Sequence, residues 1–151
     1  MPSVTYVSEQ AVVEGLLAGW PALNFGPIQW PGQQFTRPNG SGDPANPARY
    51  LAYETDYVKA ERVTFGGDEE VTGRLRFGCW VESETGEESD AAVRVMMDAL
   101  HDLILGPDSA PFPQPLAGVL WVWAPVPGAA AAEGTWYGRA FEFPFNRFRQ
   151  P

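Results

Sequence analysis

The residues with the clearest chemical potential are carboxylates that crowd just ahead of an apolar periodic stretch. In the segment "VESETGEESDAAVRVMMDAL" they are Glu82, Glu84, Glu87, Glu88 and Asp90. Such a cluster could bind a metal ion, perform acid–base chemistry, or mark the point where a strand gives way to a helix. Thr85 and Glu88 have capping-box spacing, and a helix dipole stabilises acids in the first turn. The pattern therefore favours a helix start on an acidic surface.

Sequence motifs that carry catalysis or bind cofactors do not occur. The chain has no GxSxG, no P-loop, no GxGxxG after a strand, no HExxH and no DxDxDG loop. Its one cysteine, Cys79, falls on the apolar side of an alternating strand, which is typical of a buried, inert thiol. His101 lies at the rim of a polar helix face. We therefore predict no catalytic residue, no metal and no cofactor.

Composition and charge bound the class of protein. The 151 residues predict one domain, 1–151, and no apolar run of about 18 residues predicts a membrane span. The first residues show no signal-peptide pattern, so we expect a soluble protein made inside the cell. A net charge of −9 with one lysine argues against wrapping nucleic acid. Acids gather at 66–90 and arginines near the C-terminal end, a pattern of head-to-tail pairing or of an ordinary solvated surface.

Two helices are predicted. The first spans 7–20, with Ser8 as its N-cap and an apolar stripe that ends in Trp20. The second follows the capping box and is expected to bury Ala92, Val95, Met96, Ala99, Leu100 and Leu103. Two irregular connections rich in proline, 21–48 and 106–117, follow these helices.

Alternation predicts the strands. The clearest runs from Val71 to Val81 after the turn "GGDEE", with Val71, Leu75, Phe77, Cys79 and Val81 on one face. "GVLWVWAP" alternates Leu120 and Val122 with two tryptophans, and Pro144 is expected to lie at an edge or a bulge of the last strand. The element order predicts an α+β fold: one largely antiparallel (mixed) sheet with two helices packed on one face.

The layout resembles the tail terminator (tail completion) proteins of long-tailed bacteriophages, the lambda minor tail protein U type. The resemblance starts at the first helix and continues through "PALNFGPIQWPGQQF" and "RYLAYETDYV". It is strongest in "VTGRLRFGCWVESETGEESDAAVRVMMDALHDLIL" and closes with "GRAFEFPFNRF". It covers most of the chain as a pattern of elements and not as an invariant motif.

This resemblance implies a structural virion protein of the tail or neck, made in the host cytoplasm. Such proteins form a homo-hexameric ring that caps the tail tube and meets head-completion (neck) proteins. DNA would pass through the channel without sequence-specific binding. An aromatic-rich ligand- or carbohydrate-binding module is the alternative, because six tryptophans could line a recognition face.

Residues for these roles follow from chain position and charge. Trp30 and Phe35 lie on the long loop, where large aromatics are favoured as interface anchors; the alternative is that the loop folds back over its own sheet. The acids expected to face the channel or tube are Asp68, Glu69 and Glu70. The arginines expected at contacts between copies are Arg139, Arg147 and Arg149.

Overall fold

The computed structural model describes residues 5–39, 47–62, 69–82, 86–106 and 111–149. These ranges form two α-helices, α1 (Tyr6–Leu17) and α2 (Gly86–Leu105), and one seven-stranded sheet. The strands are β1 (Ile28–Gln29), β2 (Arg49–Arg62), β3 (Glu69–Glu82), β4 (Gln114–Leu116), β5 (Leu120–Val122), β6 (Val126–Glu133) and β7 (Trp136–Arg149). Their order is β1-β2-β3-β7-β5-β4, and β6 also pairs with β7. Only β1–β2 is parallel among these pairs, so the predicted α+β class with one mixed sheet is confirmed.

Three long strands, β2, β3 and β7, form the centre of the sheet. Because side chains alternate across a strand, each presents every second residue to one face, here called the helix face. The helix face buries Leu51, Tyr53, Val71, Leu75, Phe77, Cys79, Val81, Phe141, Phe143 and Phe145. All five residues that the sequence assigned to the core side of β3 are buried there, which confirms that prediction.

Both helices contribute to the same core. Val13 and Leu17 of α1, followed by Trp20, belong to one apolar cluster with Met96 and Leu100 of α2. The expectation for Val95 was wrong: its side chain is 54% exposed, and Val93 is buried instead. The two positions are about 200° apart around the helix, and the buried stripe consists of Val93, Met96, Leu100 and Ile104.

The start of α1 differs from the prediction. Thr5, not Ser8, is the N-cap: its side chain accepts a hydrogen bond from the Ser8 amide, and the Ser8 hydroxyl accepts one from the Thr5 amide. This reciprocal pair is a capping box in which serine takes the place of the usual Glu or Gln. Thr85, the predicted cap of α2, lies outside the described residues.

Pro144 is also placed differently from the prediction. It lies inside β7, opposite Arg74 of β3, and not at the end of an edge strand. On its other side the ladder of β6 ends at Glu142, and the pairing with β5 begins at Phe145. The Pro144 carbonyl accepts from the Trp123 amide, so its own nitrogen points to the same side, where the neighbouring strand changes. A missing donor is tolerated there.

The first long connection is partly ordered by the sheet. It contains a short 3-10 turn, Pro21–Leu23, and β1, whose residues pair with Leu51 and Ala52. Gly26 makes this possible: its φ is +89°, and a Cβ there would lie 1.8 Å from the Arg49 carbonyl oxygen. Only glycine allows the loop backbone to approach β2 this closely.

Candidate assembly surface

The sheet face turned away from α1 and α2, here called the outer face, carries a belt of charged residues across its middle. Arg76 lies between Glu54 of β2, at 3.2 Å, and Glu142 of β7, at 2.9 Å. Arg74 is 3.8 Å from the same Glu142. Both arginine side chains remain 40–47% exposed, so each pair contributes about 0–1 kcal/mol. The belt is polar and remains available for contacts with another molecule.

One end of the outer face is a stacked aromatic cluster. The Trp80 indole lies flat over two glycines: a Cβ added to Gly78 or Gly138 would come within 2.8 Å or 2.6 Å of its ring atoms. Tyr50 stacks beside Trp80 at 6.2 Å, and Trp136 meets Tyr50 edge-on at 5.0 Å. Sequence reasoning missed this cluster. Its signal is glycine opposite an aromatic residue on neighbouring strands.

The long loop folds over this cluster. Phe35 packs on Tyr50 at 5.2 Å, and the Arg37 Nε donates to the Tyr50 hydroxyl at 3.1 Å. Arg37 also pairs with Glu133 at 2.9 Å, and burial raises the pKa of Tyr50. Trp30 packs against the main core and meets a tyrosine of β2 edge-on. Both predicted loop anchors therefore have partners within the chain, which favours the alternative that the loop folds back over its own sheet.

Four large apolar side chains lie exposed beside β7, a set called here the β5–β7 patch. Trp121 and Trp123 are 42% exposed, Phe148 is 44% exposed and Val126 is 51% exposed. The register pairs Trp121 with Asn146, and alternation puts Trp123 and Phe148 on the same outer face. Leu120 and Val122, which alternate with the two tryptophans, are buried.

A second exposed apolar set, called here the β2–α1 patch, lies at the other side of the sheet. Tyr6 and Tyr57 meet edge-on at 5.3 Å, and an exposed valine follows each of them. Val7 is 80% exposed, and Val58 is 56% exposed at the irregularity where β2 shifts register. Within the described residues no strand covers the outer edge of β2 at this point, because β1 pairs only with Leu51 and Ala52.

Arg147 does not lie where we expected it. Its side chain is completely buried, and its Nε donates to Glu9 of α1 at 2.5 Å. The Tyr57 hydroxyl donates to the other Glu9 oxygen, and the Arg147 guanidinium lies 4.5 Å from the centre of the Tyr6 ring. Arg147 is therefore removed from the interface candidates, because its charge is used inside the chain. Two charges taken out of water require such partners.

Arg139 also has partners within the chain. Its Nε donates to Asp90 at 2.7 Å, and Asp90 also accepts from Arg94 and from the Tyr137 hydroxyl. These three hydrogen bonds, that of Arg94 first, hold the pKa of Asp90 well below its usual range. Asp90 and Arg94 have the four-residue spacing of a favourable helix pair, and the network ties α2 to β7. Arg149 pairs through its backbone with Glu69, and its side chain lies outside the described part.

Two of the three acids predicted to face the channel lie at the start of β3. Glu69 and Glu70 are half-buried at the strand's start, next to Phe148 and Arg149 of β7. Asp68 lies outside the described residues. This start and the acidic segment that follows Glu82 are at opposite ends of a 14-residue strand, so they cannot line one spot. The channel role of these acids stays a prediction.

The remaining chemical groups are inert or dispersed. Cys79 is buried, and burial raises the pKa of its thiol to about 12, which suppresses the thiolate. Among the described residues no three His, Cys, Asp or Glu side chains gather in a way that could hold a metal ion. Neither described helix is long and apolar enough to cross a membrane.

Comparisons with known proteins give a fold and no function. No protein-family model matches the chain, and no curated protein matches it. A solved structure whose name states no function is similar over 95% of both chains, with 18% identity and a TM-score of 0.61. A likeness at this identity shows that the two chains share a fold.

Proposed function

We propose that this chain is a structural subunit of the tail-terminator kind. Copies would form a homo-hexameric ring that caps the tail tube of a long-tailed bacteriophage and joins it to head-completion (neck) proteins. The observation that carries the proposal is a sheet with exposed apolar patches at two separate sites. A subunit that meets several neighbours requires more than one such surface, whereas scattered single apolar residues require no explanation.

The charge of the chain supports a channel for DNA. Six copies at −9 each give a formal charge of −54, and an acidic lumen repels phosphates, which lets DNA slide without adhering. We propose that Asp68, Glu69 and Glu70 face the channel or the tube. Lysine at these three positions should leave the ring intact and slow DNA passage, measured as ejection from assembled particles. Loss of the ring with normal ejection from residual particles would contradict this assignment.

Tube growth in vitro tests the proposed function. Purified tail tube protein should polymerise into shorter tubes as this chain is added, with rings of six copies visible at tube ends by electron microscopy. The matched control is Val95→Asp, which places a charge on an exposed α2 position outside both patches. Unchanged tube lengths, with no ring at the ends, would refute the proposal.

A ligand-binding module is the second candidate, favoured by one observation. Trp121 of β5 and Trp123, just after the strand, are two residues apart and each 42% exposed, and such rings can stack on sugar faces. A glycan array tests this reading. Binding that Trp121→Ala abolishes, by a chain that stays monomeric by mass photometry at every concentration, would favour the module over the ring.

A further inference from the structure

The two apolar patches lie on opposite sides of the molecule. The β5–β7 patch is on the outer face beside β7, and the β2–α1 patch is at the edge of β2. Strands β3 and β7 separate β2 from β5, which at about 4.8 Å per step gives roughly 14 Å between those two strands. The patches also face different ways, because Trp121 and Phe148 lie on the outer face whereas Tyr57 contacts α1 on the helix face, so one flat contact cannot cover both patches of the same copy.

The patches are similar in size. Each patch presents on the order of 350 Å² of apolar surface. This area follows from the exposed fractions of its side chains and from aromatic side-chain areas of about 150–250 Å². A stable interface buries about 800 Å² per partner, of which roughly 450 Å² is apolar. Each patch alone is therefore close to the apolar area that one side of a stable interface needs.

We infer that the β5–β7 patch of one copy docks on the β2–α1 patch of the next copy. This inference deepens the proposed ring and rests on it. A two-fold dimer built on one kind of patch would bury that patch and leave the other exposed on both copies. A head-to-tail contact buries both patches on every copy, and repeated head-to-tail contacts generate a closed ring when the rotation closes.

The charges beside the β2–α1 patch disfavour pairing that patch with its own kind. The residues of β2 around its patch include three acids, Glu54, Asp56 and Glu61, and two cations, Lys59 and Arg62. Two β2–α1 patches brought together would set these acids against each other, which costs binding energy. The β5–β7 patch has the neutral Asn146 opposite Trp121 and two acids at its margin, Glu70 opposite Phe148 and Glu142 opposite Val126. Glu142 is already paired with Arg74 and Arg76 on the outer face.

Complementary variants test the contact. Trp123→Asp disables one patch and Val58→Asp disables the other, and sedimentation velocity measures assembly. Each variant alone should associate at least about 100-fold more weakly than the unmodified chain. An equal mixture should recover one contact per pair, visible as a species of two copies. Val95→Asp is the control and should assemble normally. Melting temperatures close to that of the unmodified chain would show that each variant folds.

Cross-linking gives an independent readout. Val58→Cys and Trp123→Cys introduce single surface thiols, while the native Cys79 is buried and stays unreactive. Oxidation should join position 58 of one copy to position 123 of another, and the same-position pairs 58–58 and 123–123 should stay at background.

Three outcomes would overturn the inference: Val58→Asp alone assembles like the unmodified chain, same-position pairs dominate, or the unmodified chain stays monomeric at its highest soluble concentration. The inference and the proposed function fail separately. A ring that caps tubes through other surfaces would refute this contact and keep the function. Head-to-tail assembly through these patches that caps no tube would confirm this contact and refute the proposed function.

Discussion

The buried pair of Glu9 and Arg147 gives a stability prediction that the structure makes quantitative. Their side chains are 2% and 0% exposed, 138 residues apart in the chain, and joined by a hydrogen bond of 2.5 Å. We expect Arg147→Met to be severely destabilising. Methionine fills part of the volume but leaves the Glu9 carboxylate buried, with the Tyr57 hydroxyl as a remaining donor.

The expected cost follows from removing one member of a buried pair, which typically takes about 3–5 kcal/mol from the free energy of unfolding. For a chain of 151 residues each kcal/mol lowers the melting temperature by roughly 2–4 °C. The expected loss is therefore about 6–20 °C. The double variant Glu9→Leu/Arg147→Met should regain most of it, because replacing both charges with apolar groups removes the desolvation penalty with the attraction.

Urea unfolding of the single and double variants in a double-mutant cycle measures this coupling. The matched control is Lys59→Met. It breaks a pair with Glu61 at 3.1 Å whose members are more than half exposed, and it should cost less than about 1 kcal/mol. If Arg147→Met cost no more than this control, or if the double variant were as unstable as the sum of the two singles, the buried pair would not be coupled as its geometry implies.

Three further predictions come from other parts of the structure. Gly138→Ala should cost about 1–3 kcal/mol in urea unfolding, because its Cβ would lie 2.6 Å from the Trp80 ring and 2.8 Å from a backbone oxygen; an unchanged midpoint would show that the indole moves freely. Cys79, with its thiol pKa raised to about 12, should resist a thiol reagent at pH 8 until the chain is unfolded, and fast labelling of the native protein would contradict its burial. Asp90 has a lowered pKa, so its stabilisation is present above pH ~4 and lost progressively as pH falls below that; the stability gap to Asp90→Asn should therefore shrink as pH falls from about 5, and a constant gap would contradict the three hydrogen bonds that Asp90 accepts.

Local periodicity explains which parts of the fold could be predicted from the sequence. The buried face of β3 was predictable because every second residue of a strand faces the same way, whatever the strand packs on. The start of α1 was not, because Thr5 and Ser8 are both good caps and their reciprocal hydrogen bonds depend on the turn geometry. Val93 and Val95 lie on different faces of α2, each of which carries apolar residues at helical spacing, and docking on the sheet selects the face of Val93.

The sequence could have identified Glu9 and Arg147 as buried charges, but it could not have shown that they pair with each other. Glu9 occupies the position one turn before Val13, on the apolar stripe of α1, and Arg147 continues the inward alternation of Phe143 and Phe145. A charged residue at an apolar position of a periodic pattern is a signal of a buried ionic group. Its partner stays unknown, because no local pattern connects residues 138 positions apart.

The same pair links the core to the proposed contact between copies. Tyr6 of the β2–α1 patch lies against the Arg147 guanidinium, and Tyr57 of the same patch donates to Glu9. Both aromatic members of the patch are thus held by the buried ion pair, while both valines are exposed beside them. Even the stable double variant Glu9→Leu/Arg147→Met should therefore assemble less well than the unmodified chain, because it keeps the fold and removes the groups that fix the two rings. A double variant with normal stability and normal assembly would show that the patch is positioned by the backbone of α1 and β2 alone.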